Sequence, residues 1–101
     1  MRIVMLGAGG VGGYFGALLA RAGHDVVLFA RGAHLAAIRT DGIIIRDEKG
    51  EFAVPIGATD SPAALAGAEL AIVAVKSYSL SEIAPVARDL AIGGAAILPL
   101  L

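Results

Sequence analysis

Three glycines near the start of the chain have the spacing of a turn that can hold a phosphate group. Gly7, Gly9 and Gly12 form a G-x-G-x-x-G pattern between a short apolar run and residues of helical periodicity. In this strand–turn–helix context the pattern is typical of dinucleotide-binding folds. Gly7 permits the tight turn, Gly9 lets the backbone approach a diphosphate, and Gly12 lets the helix lie close to the sheet. The anion would meet unpaired N–H groups at the positive end of the helix dipole.

Arg31 is the second candidate, because it follows the next apolar run and lies 19 residues beyond Gly12. In dinucleotide folds an acidic residue in this place binds the adenosine ribose of NAD. Here the segment Phe29–Gly32 contains no carboxylate. A guanidinium can pair with a 2′-phosphate, so the residue favours NADP. The alternative is a solvated loop arginine.

Lys76 directly follows Leu70–Val75, the clearest buried strand in the chain. It is therefore expected at the carboxyl edge of the sheet, where open α/β folds bind ligands. It could contact a cofactor or a substrate carboxylate, or be an ordinary surface lysine. His24 and His34 lack paired ligand spacing, and the chain contains no cysteine, so no metal site is predicted.

Composition narrows the class of protein. The chain has 101 residues, a net charge of −1 and 57% hydrophobic residues. The length predicts one domain over residues 1–101, and the weak charge argues against a nucleic-acid partner. The apolar stretch from Ile3 to Ala20 raises a membrane span or a signal peptide as alternatives. Its clustered glycines suit a turn better than a continuous helix, so a cytoplasmic protein without a membrane partner is predicted.

The elements needed to position these residues alternate between strands and helices. Strand Arg2–Leu6, a helix from Gly10 to Ala22 with Gly23 as its left-handed stop, and strand Val26–Phe29 form a βαβ unit. A helix over Ala33–Thr40 follows. The class predicted is α/β, with a Rossmann-type, mostly parallel sheet and helices on both faces.

The second half of the chain continues the alternation. Two apolar runs around the polar turn Asp47–Gly50 predict a hairpin, whose returning half, ending near Ile56, is expected to become the third parallel strand. Ser61-Pro62 predicts a short helix to about Ala66. After strand Leu70–Val75, a capping box formed by Ser79 and Glu82 predicts a helix to about Leu90, with Pro85 favouring a later start. A strand over Ala95–Leu98 completes the prediction.

Several separate motifs, in order, resemble those of ketopantoate reductases (2-dehydropantoate 2-reductases). They are GAGGVGGYFG at 7–16, AGHDV at 22–26, ARGAHL at 30–35 and VAVKSY at 73–78, with further similarity at 58–60 and 97–100. The resemblance implies an N-terminal domain that binds NADPH and a helical C-terminal domain that completes the active site. The substrate implied is 2-dehydropantoate, a small 2-oxo acid, which is reduced to pantoate in pantothenate biosynthesis.

The same resemblance implies roles for individual residues. The diphosphate would lie on the turn formed by Gly7, Ala8, Gly9, Gly10, Val11 and Gly12, the 2′-phosphate on Arg31, and the reacting end of the cofactor near Lys76. Family members usually continue the Leu-Pro-Leu segment with Gln-Asn-Gly and carry a general-acid lysine in the helical domain. Neither is among these 101 residues. No catalytic residue is therefore assigned here, and a helical domain or a second copy is expected to complete the site.

Three alternatives stay open at this point. The chain could serve a related 2-oxo acid reductase, or it could be a stand-alone NADP-binding or sensor module whose partner supplies any chemistry. A membrane-associated glycine-zipper protein is the third. The coding sequence downstream of Leu101 would separate the first two, and detergent partition would reveal the third.

Overall fold

The computed structural model describes residues 1–7, 9–75 and 80–100, and these form an α/β fold. Strands and helices alternate along most of the chain, as predicted. The elements are β1 (Arg2–Leu6), α1 (Gly10–Arg21), β2 (Asp25–Phe29), α2 (Gly32–Asp41), β3 (Ile43–Asp47), β4 (Gly50–Val54), β5 (Gly57–Thr59), a 3₁₀ helix (Pro62–Leu65), β6 (Leu70–Val73), α3 (Leu80–Ile92) and β7 (Ala96–Pro99).

The main sheet contains five parallel strands in the order β5-β2-β1-β6-β7. Leu6 at the end of β1 lies opposite both Phe29 of β2 and Val73 of β6, and Phe29 lies opposite Thr59 of β5. The carboxyl ends of these four strands are therefore level. The chain builds outward from β1 first on one side and then on the other, and such a switch point is where open α/β sheets form their binding crevice.

Strand β1 lies at the centre of the sheet and is covered on both faces. Val4 belongs to an apolar cluster with Ile83 of α3, whereas Met5, the next residue, belongs to a cluster with Ile38 of α2 and the half-buried Leu19 of α1. Successive strand residues point to opposite faces, so the two clusters require helices on both sides. The predicted Rossmann-type arrangement is confirmed.

The end of α1 follows the predicted pattern. Gly23 has a φ of +97°, the left-handed conformation that glycine adopts without steric cost. The His24 N–H donates to the Leu19 carbonyl at 3.2 Å, and the Gly23 N–H donates to the Ala20 carbonyl at 3.1 Å. These bonds pair carbonyls that the helix would otherwise leave free and turn the chain into β2.

The hairpin is confirmed, but the prediction that its returning half joins the parallel sheet is wrong. Strands β3 and β4 pair with each other as a separate antiparallel sheet. Pro55 follows β4 and has no N–H to extend the ladder, so the third parallel strand is the short β5 beyond it. The hairpin buries Ile45 and Val54 against Ala17 of α1. The buried apolar residues of the hairpin therefore pack against a helix rather than within the main sheet.

The segment after Ser61 forms a single 3₁₀ turn rather than an α-helix. The Ser61 side chain makes no capping hydrogen bond; instead its backbone N–H donates to Oγ1 of Thr59 at 3.1 Å. Thr59 is the last residue of β5 and is buried. Thr59 therefore stabilises the tight turn by which the chain leaves the edge of the sheet.

Several element boundaries differ from their predictions. Strand β6 ends at Val73 rather than Val75, and β7 spans Ala96–Pro99. Helix α3 begins at Leu80, as predicted from the Ser79–Glu82 segment, so Pro85 lies inside it and removes one backbone hydrogen bond. The later start that Pro85 favoured is wrong. The predicted capping role of Ser79 lies outside the described residues. Within the described ranges, no helix has both the length and the apolar character needed to cross a bilayer.

Candidate functional site

A cleft of about 420 Å³ lies at the carboxyl edge of the main sheet. Its walls come from the residues that follow β1, β2, β5 and β6 and from the first half of α3. The lining residues are Gly7, Phe29, Ala30, Arg31, His34, Asp60, Pro62, Val75, Glu82, Ile83 and Val86. The level strand ends bring these segments together although they are far apart in the chain. The structure therefore has a cleft at the edge of the sheet where the sequence predicts a ligand site.

The outer glycines of the G-x-G-x-x-G turn are required by packing. Gly7 has a φ of +110°, and a Cβ there would lie 2.7 Å from Cγ1 of Val75. A Cβ on Gly12 would lie 2.0 Å from the carbonyl oxygen of Gly7, far inside van der Waals contact. The start of α1 can approach the end of β1 only because Gly12 has no side chain. The structural reasons predicted for Gly7 and Gly12 are confirmed.

Gly9 and Gly10 differ from their neighbours, because no close contact in the described fold requires a glycine at either position. A Cβ on either would meet no atom within 4 Å. Gly9 has an ordinary φ of −73° and is the N-cap of α1. The absence of side chains here keeps the approach to the helix N-terminus open. Ala8, which lies between Gly7 and Gly9, is outside the described residues.

The open space at Gly9 lies in front of backbone donors. The first hydrogen bond of α1 runs from the Gly13 N–H to the Gly9 carbonyl at 3.1 Å. The N–H groups of Gly10, Val11 and Gly12 precede it and have no acceptor within the helix. The first turn of α1 contains no acidic residue. The arrangement is suited to an anion, which would meet both these donors and the helix dipole.

Arg31 lies where it was predicted, just beyond the end of β2 and at the N-cap of α2. Its side chain is 79% exposed and lines the cleft. Nη2 of Arg31 donates to Oε2 of Glu82, which belongs to the first turn of α3. The strand order thus brings Gly7, the first residue of the glycine turn, and the Arg31 guanidinium to one cleft. Lys76, the third predicted residue, lies outside the described residues.

Three further polar residues line the cleft, and the sequence patterns predict a role there for none of them. They are His34, Asp60 and Glu82. Asp60 follows β5, so its place at the carboxyl edge could have been predicted had β5 been recognised. Glu82 was interpreted as a capping residue, and only the packing of α3 brings it to Arg31. In the same described ranges, no three His, Asp or Glu side chains come together as a metal site.

The strand order, the glycine turn and the cleft at the switch point define a Rossmann-type protein. The model of the family "Ketopantoate reductase PanE/ApbA" matches residues 3–101. The chain belongs to this family, as its motifs predicted.

Sequence relatives and a solved structure agree with this assignment. The chain is 37% identical over 94 residues to the 2-dehydropantoate 2-reductase of Mesorhizobium japonicum, and 40% identical over 98 residues to that of Pyrococcus abyssi. These matches cover 88% and 92% of this chain but 29% and 30% of the relatives. The crystal structure of 2-dehydropantoate 2-reductase from Geobacter metallireducens matches with a TM-score of 0.86 and 33% identity, over 99% of this chain and 33% of that one. The chain thus spans about a third of its relatives' length.

Proposed function

We propose that this chain forms the NADPH-binding part of a ketopantoate reductase, which reduces 2-dehydropantoate to pantoate. Membership of the family supports the reaction. The cleft supports a cofactor-binding role for this chain, because its described residues are suited to holding a dinucleotide. A related 2-oxo acid reductase would use the same cofactor cleft, so the identity of the substrate rests on the family alone.

The observation that carries the proposal is the contrast between Gly9 and Gly12. Gly12 is needed by the fold, whereas Gly9 meets nothing within 4 Å and has an unstrained φ. A glycine that the protein's own packing does not require is explained by a ligand that comes close to the backbone. The free donors of the first turn of α1 lie beside it, and a diphosphate is the part of a dinucleotide that such donors bind. The proposed contacts of Ala8, Gly10 and Val11 belong to this same turn.

Arg31 supports NADPH rather than NADH. The two cofactors differ by the phosphate on the adenosine ribose, and a guanidinium can donate to that phosphate through two N–H groups. Phe29 and Ala30, which precede Arg31, provide no carboxylate for a ribose hydroxyl. The adenosine end is therefore proposed to lie beside α2 and the first half of α3, with the diphosphate on the turn before α1.

NADPH, when bound, supplies the hydride that reduces the ketone of the substrate. The residues of this chain are proposed to bind and orient the cofactor: the turn before α1 holds its diphosphate, Arg31 its extra phosphate, and Lys76 its reacting end. The developing alkoxide also needs a proton. None of the described cleft residues is assigned that task, so the chain alone is expected to bind NADPH without turning over a 2-oxo acid.

Calorimetric titration of the chain with NADPH and with NADH tests the cofactor assignment. Replacing Arg31 by Ala should weaken NADPH binding by about 1.5–3 kcal/mol, the scale of a hydrogen bond to a charged group, and leave NADH binding unchanged. Arg46→Ala is the matched control, because Arg46 is 81% exposed and also forms an ion pair, with Glu51 on the β3–β4 hairpin. Arg46→Ala should leave both affinities unchanged.

Two results would contradict the proposal. Equal affinity of the unaltered chain for NADPH and NADH would remove the role of Arg31. Absence of binding by either dinucleotide at saturating concentration, in a chain shown by circular dichroism to be folded, would remove the site.

A further inference from the structure

The guanidinium that is proposed to bind the 2′-phosphate already has a partner. Glu82 accepts a hydrogen bond from Nη2 of Arg31. Both side chains line the same cleft as Gly7. A phosphate that binds Arg31 must therefore displace the Glu82 carboxylate or share the guanidinium with it.

The backbone at Glu82 is fixed by helix α3, which packs against the main sheet through Ile83 and Leu90. Glu82 lies in the first turn of α3, where the helix dipole favours a negative charge. Ile83, the next residue, is buried in the cluster that covers one face of the main sheet. Arg31, in contrast, is a long exposed side chain at the start of α2. When a ligand arrives, the side chain that can move away at least cost is that of Arg31.

The ion pair is weak enough to be exchanged for a ligand. Its side chains are 79% and 60% exposed, and pairs with such exposure change an equilibrium constant by no more than about fivefold. Breaking the pair weakens by that factor the binding of any ligand that needs Arg31. NADPH needs it and NADH does not, so the whole cost falls on one cofactor.

We infer that Glu82 is a specificity-determining residue, which holds the Arg31 guanidinium in the ligand-free cleft and so reduces the preference for NADPH over NADH. The inference rests on the proposed role of Arg31. Glu82 acts through Arg31 rather than by contact with the cofactor. It is thus a positioning residue, and its effect must disappear when Arg31 is absent.

The test compares the NADPH and NADH affinities of the chain with those of Glu82→Gln, which keeps the size of the side chain and removes its charge. NADPH should bind about three- to fivefold more tightly, the equivalent of a surface ion pair, and NADH should be unaffected within twofold. Glu51→Gln is the matched control, because it changes the net charge equally and breaks the Arg46–Glu51 pair on the hairpin. It should change neither affinity.

A double-mutant cycle separates action through Arg31 from direct repulsion of the phosphate. In an Arg31→Ala background, Glu82→Gln should change the NADPH affinity by less than about twofold, because the pair is already absent. A gain that persists without Arg31 would overturn the inference in favour of direct repulsion. An unchanged or weakened NADPH affinity in the single Glu82→Gln variant would also overturn it.

The failure of the inference and that of the proposed function give different results. If Arg31→Ala lowers the NADPH affinity but Glu82→Gln has no effect, Arg31 still binds the cofactor phosphate, and Glu82 has no effect on the cofactor preference. If Arg31→Ala leaves the ratio of the two affinities unchanged, the cofactor assignment fails and the role of Glu82 fails with it.

Discussion

The two ends of the candidate cofactor site are built in different ways. At the turn before α1, the backbone is enclosed so tightly that a Cβ on Gly12 would lie 2.0 Å from the carbonyl oxygen of Gly7. At the proposed adenosine end, Arg31 and Glu82 meet as side chains that are 79% and 60% exposed. The half proposed to hold the diphosphate is therefore part of the packing of the fold, whereas the half proposed to distinguish the cofactors consists of solvated charges.

Because of this difference, we expect substitutions at one end to change the stability of the fold and substitutions at the other to change the choice of cofactor. Substitutions at the outer glycines of the turn should act first on folding, because the backbone there has no room to move. Substitutions at the exposed ion pair should act on the choice of cofactor and leave folding almost unaffected, because such pairs contribute little to stability. Gly9 lies between the two cases, since it belongs to the turn but has open space around it.

The largest effect is expected at Gly12. Replacing it by Ala should destabilise the chain by about 3 kcal/mol, at the upper end of the cost of overpacking, because the new Cβ would meet backbone rather than a movable side chain. Chemical denaturation followed by circular dichroism measures this. A Gly12→Ala variant as stable as the unaltered chain would contradict the close approach of α1 to β1.

A smaller effect, and on binding rather than folding, is expected at Gly9. Replacing it by Ala should weaken NADPH binding about tenfold or more, because the new methyl group occupies the space proposed for the diphosphate. Stability should fall by no more than about 1 kcal/mol, the cost of a poorer N-cap. Calorimetry and denaturation on the same variant measure the two quantities.

Gly93→Ala provides the control for Gly9. Gly93 lies beyond α3, and a Cβ there would make only ordinary contacts, at 3.5 and 3.6 Å. This variant should bind NADPH as the unaltered chain does. If Gly9→Ala also binds NADPH normally, the open space at Gly9 is not the place of the diphosphate.

The smallest effect is expected on stability at the two exposed ion pairs. Glu82→Gln and Glu51→Gln should each change the free energy of unfolding by less than about 0.5 kcal/mol, because the charges are solvated in both the folded and the unfolded chain. Urea denaturation of the two variants checks this. A loss above about 1 kcal/mol for Glu82→Gln alone would make the Arg31–Glu82 pair a structural contact.

Most of the main sheet was predictable from the sequence, because its strands and helices have strong local patterns. The apolar run before Gly7 and the Leu70–Val73 segment are buried on both faces and therefore lack polar alternation. Gly23 marked the end of α1 because only glycine adopts its φ of +97° without strain. Arg31 could be placed at the edge of the sheet because it directly follows such a run.

The third parallel strand was not predictable with the same rules. Strand β5 is three residues long, Gly57–Thr59, and carries too little pattern to be recognised. The hairpin before it has a stronger strand pattern but packs against α1 instead of joining the sheet. The run Ile43–Ile45 is continuously apolar, like a strand buried on both faces, although Ile44 is 46% exposed in the hairpin, so the pattern could not distinguish the two arrangements.

The local sequence was enough to determine the class of fold, the glycine turn and the family, because each depends on residues close together in the chain. Tertiary structure alone decided that Glu82 faces Arg31 and that Asp60 and His34 share their cleft. These contacts depend on the order of strands in the sheet and on the face that α3 packs against it. Long-range packing determines both, and no short sequence motif predicts that packing.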